Sequence, residues 1–196
     1  MARGPNKQFD TEFALEQAML LFWKRGYAGT SMSDLQAAMG LGAKSLYDTF
    51  GNKRQLYFAA LRRYTEVVVD RLFAELRHSN SVIAAANSIV LKTTKLDGGE
   101  RKGCLIGVAM AQAQLSEDEE LSAFIEAQLQ HIENALFQGF SNAKQAGELG
   151  DGVHPRDLAH LYTAAFQGAN LIARVKRDSA HTKGISRALT ALTNKH

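Results

Sequence analysis

Lys44, Ser45, Tyr47 and Thr49 fall within one short stretch, GLGAKSLYDTF (Gly40 to Phe50), and each carries a side-chain hydrogen-bond donor. Leu46 and Phe50 are the only large apolar side chains of its helical part, so the stretch displays more polar surface than it can bury. Its chemistry is that of binding an acceptor-rich partner. Asp48 is the one acid in the stretch. Next to a polyanion it either accepts a bond from an amino group, pairs with a neighbouring cation or points away.

Catalytic arrangements are hard to find elsewhere. His131 and Glu133 lie two apart, on diverging helix faces, and no histidine follows at i+4 to make a metal site. There is no glycine-rich phosphate loop after a strand and no nucleophile elbow. A single cysteine, Cys104, excludes disulfide frameworks and multi-cysteine metal sites. It follows Arg101, Lys102 and Gly103 at the start of a helical pattern, a setting that favours thiolate and would suit an oxidant or electrophile sensor. The adjoining Leu105 and Ile106 equally suit an inert buried thiol. The sequence predicts no enzyme, no cofactor and no metal.

Charge places the binding surface at the front. Residues 1–63 hold nine Lys and Arg against five acids, a net +4, which leaves −1 for the remainder of a chain whose total is +3. A basic front on a near-neutral body suits a polyanion. With 196 residues and 45% hydrophobic content, the chain is long enough for a helical core of one or two small domains. The polar start MARGPNKQFD lacks the apolar stretch of a signal peptide, and no run approaches the ~18 apolar residues of a membrane span, so a soluble cytoplasmic protein is expected.

The elements that position these groups read as all-helical. Asp10 caps a first helix with Ala14, Ala18, Leu21 and Phe22 inward, ended by Gly26. Ser31 and Asp34 have capping-box spacing before Met32, Leu35 and Met39. Gly40 stops that helix, and Ala43 to Phe50 forms the next. Gly51-Asn52 ends it and caps a much longer helix that can run from Lys53 to about Arg77, roughly 37 Å. Later patterns cover Val82 to Leu96, Leu105 to Leu115, Glu117 to Ala146 and Pro155 to about Arg177, with a C-terminal helix of roughly ten residues around Ile185 to Leu192.

Two short helices joined by a glycine turn, the second poor in apolar residues, form a helix-turn-helix pattern, whose second helix enters a DNA major groove. Around it the sequence resembles the TetR family of transcriptional regulators. The resemblance is carried by FWKRGYAGTS, MSDLQAAMG, the Leu41-Gly42 turn and AKSLYDTFGNKRQLYFAAL, covering about residues 6–66. It implies an all-α fold of about nine helices: a three-helix DNA-binding domain (6–66) joined by a long fourth helix to an effector-binding and dimerisation domain (67–196). By position, the resemblance makes Thr30 and Ser31 backbone clamps, Tyr47 and Lys53 phosphate contacts, and Gly42, Ala43, Lys44, Ser45 and Thr49 the edge nearest the bases. Arg3 and Lys7 become a minor-groove arm.

In the body, Ala165, Gly168, Ala169 and Ile172 on one helix, with Ile185, Ala188, Leu189 and Leu192 on the last, are expected at a homodimer interface. Met110, Gln114, Phe124, Gln128, His131, Phe166 and Asn170 combine apolar and isolated polar groups, as an effector pocket requires. The expected function is a homodimeric repressor released from a palindromic operator by a small molecule. The alternatives are a thiol-sensing regulator using Cys104 and a helical module that binds an acidic protein surface.

Overall fold

The computed structural model describes residues 10–92, 103–116, 118–176 and 180–193, which contain helices and no strand. The chain divides into two compact units, residues 1–64 and 65–196.

The first unit holds α1 (Thr11–Arg25), α2 (Met32–Met39), α3 (Ala43–Phe50) and α4 (Lys53–Tyr64). Asp10 caps α1, its carboxylate accepting from the Glu12 and Phe13 N–H groups. Ala14, Ala18, Met19 and Phe22 are buried, with Leu21 half-buried at the edge. α1 packs against α2 and α4, and α3 packs on α4. Phe22, Tyr27 and Tyr57 form an aromatic cluster at this junction, and Trp23 meets Tyr64 edge-on at 4.8 Å.

The helical run expected from Lys53 to about Arg77 has those bounds, but its winding changes along the way. After Tyr64 the winding widens into a π-helical turn, Thr65–Val69, before α5 (Asp70–Arg77). Four of the five residues in TEVVV are β-branched, and their stiff side chains crowd the preceding turn of an ordinary α-helix.

The second unit continues with α6 (Val82–Lys92), α7 (Leu105–Ser116), α8 (Glu119–Gln145), α9 (Pro155–Val175) and α10 (Ala180–Thr193). α8 and α9 make the most extensive pairing; α7 packs on both, and α10 packs on α6 and α9. Gly139 lets α8 approach closely, because a Cβ there would stand 2.9 Å from Leu76 and 3.2 Å from Val82. Tyr162 donates to Asn87, whose amide in turn donates to Thr190, tying α9, α6 and α10 together. No helix among the described residues is long and apolar enough to cross a membrane.

Candidate nucleic-acid interface

The turn between α2 and α3 is held by apolar plugs and a left-handed glycine. Gly40 takes φ +66°, which ends α2 and redirects the chain. Leu41 and Leu46 are buried and Phe50 is half-buried, the inner face that the sequence predicts. Gly42, Ala43, Lys44, Ser45, Tyr47, Asp48 and Thr49 are all exposed. Asp48 makes no ion pair among the described residues.

The two helix starts differ chemically. At α2, the Ser31 hydroxyl accepts from the Asp34 N–H, while the Asp34 carboxylate accepts from both the N–H and the hydroxyl of Ser31. Arg25 adds a 3.0 Å ion pair to Asp34. The hydroxyl and N–H of Ser31, followed by Arg25, hold the Asp34 carboxyl below its usual range. At α3, Gly42 is the cap and no side chain caps the first turn. Its leading N–H groups point out of the helix with their partial positive charge uncancelled by any cap. Gly42 has φ −71°, and a Cβ there would meet nothing within 4 Å, so among the described residues neither backbone angle nor space requires a glycine.

α4 begins with a reciprocal cap: Asn52 accepts from the Gln55 N–H, and Gln55 accepts from the Asn52 N–H. Gly51 is essential to it. At φ +74° a Cβ would fall 1.9 Å from Gln55 Oε1. Lys53, the first residue of α4, holds its ammonium 4.2 Å from the centre of the Tyr27 ring.

Several expectations are corrected. Thr30 is buried, its hydroxyl donates to Gly26 O at 2.8 Å and its N–H to Tyr27 O, so it offers no donor outward. Ser31 is exposed, but both its donors are engaged by Asp34. Arg3 and Lys7 lie outside the described residues.

In the second unit the expected pocket residues separate. His131 is exposed and lies 2.8 Å from Asp70 in a surface pair, not in a cavity. Gln128 accepts from Thr65, and the Asn170 amide donates to Phe166 O. Phe166 and Asn170 are buried, Met110 and Phe124 half-buried, and the Gln114 side chain lies outside the described set. The sequence reading passes over Thr163 and Gln167, both buried on α9; hydrophobic periodicity gives no weight to polar residues at core positions.

Cys104 does cap α7 but is only 2% exposed, which removes the access an oxidant or electrophile sensor needs. Of the expected interface residues, Ala169 and Leu189 are buried within the chain's own core. Ala165, Gly168 and Ile185 are half-buried, and Ile172, Ala188 and Leu192 are exposed. α10 buries Thr182, Ser186, Leu189 and Thr193, so its inner face is largely polar and Leu192 stays 61% exposed. Leu161, Leu171 and Val175, the last 84% exposed, extend the outward apolar surface of α9.

Comparison with known proteins accords with this geometry. Residues 14–60 match the family described as "Bacterial regulatory proteins, tetR family", and residues 83–189 match "Tetracyclin repressor-like, C-terminal domain". The HTH-type transcriptional regulator YezE of Bacillus subtilis is 34% identical over 89% of this chain and 91% of its own. The HTH-type transcriptional repressor ComR of Escherichia coli is 29% identical over 88% and 83%. Among solved structures, a cysteine mutant of the TetR family transcriptional regulator CifR, complexed with 26 bp double-strand operator DNA, superposes with a TM-score of 0.83 at 25% identity, covering 96% of this chain and 99% of that one.

Proposed function

Because the chain belongs to the TetR family of bacterial regulatory proteins, it is a DNA-binding transcriptional regulator and not an enzyme, and we propose that it acts as a cytoplasmic homodimeric repressor released from a palindromic operator by a small-molecule effector. The observation that carries the DNA contact is the uncapped start of α3 beside exposed Lys44, Ser45, Tyr47 and Thr49. In this reading α3 lies in the major groove. Lys44 donates to guanine O6 or N7 and Ser45 to a base edge. The open N–H groups of α3, the Tyr47 hydroxyl and Lys53 hold phosphates.

Repression rather than activation is supported by similarity to ComR, whose name states it, and operator binding by similarity to the CifR complex. Dimerisation is supported by the outward apolar stripe Leu161, Ile172 and Val175, with Gly168 between them. A mid-helix glycine costs about 1 kcal/mol relative to alanine. A Cβ at 168 would meet nothing within 4 Å among the described residues, which supports close approach by a second copy there.

A gel shift on the DNA upstream of the protein's own gene, across a salt series, tests this. Specific retardation is expected, with two protected half-sites about 10 bp apart or a multiple of that. Binding of equal strength to random DNA would remove the sequence-reading role.

A further inference from the structure

On α9, Thr163 Oγ1 and both side-chain polar atoms of Gln167, Oε1 and Nε2, are buried with no hydrogen-bond partner. The two residues are 7% and 6% exposed and stand one turn apart on the same helix face. That face meets α7. A Cβ at Gly107 would lie 2.7 Å from Gln167 Oε1 and 3.8 Å from Cys104 Cβ, so the missing side chain at 107 makes the room in which the carboxamide sits. Folded proteins rarely leave buried polar side chains unpaired, and these occur together on one face of one helix.

The chemistry of the missing partner follows from the groups. A carboxamide offers two donors and an acceptor, and a threonine hydroxyl offers one donor and accepts as well. The unpartnered groups are themselves uncharged, so a neutral guest matches them without bringing an ion into the core. We infer that Thr163 and Gln167 are the polar end of a ligand site between α7 and α9, for a small neutral molecule that carries a hydrogen-bond donor and acceptor side by side, as a primary amide does. This rests on the effector reading above, and it names the residues and ligand class that reading leaves open.

The full chain, with benzamide and acetamide as probes and benzoate as the ionised control, provides the test. The amides are expected to raise Tm by about 3 °C or more at saturation and to shift the Gln167 side-chain amide resonances, and benzoate to do neither. Gln167→Met removes both polar atoms at similar volume. It should raise the Tm of the unliganded protein and abolish the amide-induced shift. Thr163→Val should also raise the unliganded Tm.

An unliganded Gln167→Met protein less stable than the parent would mean the carboxamide is already satisfied, and the site would fall. It would fall equally if neither amide shifts Tm or resonances. Operator affinity, measured in parallel, separates the two readings: amide binding that leaves DNA affinity unchanged keeps the site and removes its effector role. Loss of the site with DNA binding intact leaves the regulator reading standing.

Discussion

Lys44 and Lys53 are both cations of the proposed DNA face, but their surroundings differ. Lys44 is exposed on α3, whereas Lys53 is half-buried with its ammonium against Tyr27. A cation held at a helix start suits a phosphate, and an extended one in the groove suits a base. Lys44→Ala should therefore cost about 1–3 kcal/mol on the operator and little on random DNA, whereas Lys53→Ala should weaken both alike and lower the salt slope by about one. Fluorescence anisotropy on both DNAs across a salt series checks this, and equal losses for Lys44→Ala would count against base reading. Thr30 and Ser31 show where residue type alone misleads. Their identities suit a phosphate clamp, but the local chain consumes their donors first, at Gly26, Tyr27 and Asp34, a competition visible only once the turn is built.

At the scale of elements, the glycines around α3 make opposite demands. Gly51 serves the fold through a positive φ and the space taken by Gln55, and Gly42 does neither. Gly51→Ala should destabilise the first unit by about 1–3 kcal/mol. Gly42→Ala should leave stability unchanged while weakening DNA binding, as a methyl group placed against the nucleic acid would. Calorimetry and anisotropy on the two variants separate these outcomes. Helix positions and caps were largely legible, since they depend on near-neighbour chemistry such as Asp10, Ser31 with Asp34, and Gly26. The π-helical turn at Thr65–Val69 was not, because a change of winding leaves an apolar, β-branched run looking like any other helix segment. Nor was the inner face of α10: of the stripe Ile185, Ala188, Leu189 and Leu192 expected at a homodimer interface, Leu189 is buried in the chain's own core, alongside the polar Thr182, Ser186 and Thr193, with Thr190 accepting from Asn87.

For the whole molecule, the packing of α9 and α10 leaves apolar surface for assembly. Leu192 on α10, together with Leu161, Ile172 and Val175 on α9, is exposed in the single chain. A charge in such a surface opposes association, because it must be desolvated without a partner. Ile172→Glu should shift sedimentation from dimer to monomer at micromolar concentration and lower operator affinity, while helical content by circular dichroism stays unchanged. A variant that remains dimeric would move the interface elsewhere.

The buried tyrosines of the two units have an optical consequence. Burial, with Tyr27 adding to it, pushes the Tyr57 phenol well above its ordinary value; burial pushes Tyr162 up to about 12, although its bonds to Thr193 and Asn87 oppose the rise. A phenol raised on folding contributes its full stability below about pH 10 and loses it as pH climbs through the folded value. Each unit thus carries an internal chromophore whose tyrosinate absorbance is delayed while that unit is folded. A spectrophotometric titration in alkali should show absorbance growing in late, cooperative steps, and Tyr57→Phe and Tyr162→Phe should assign one step to the DNA-binding head and the other to the body.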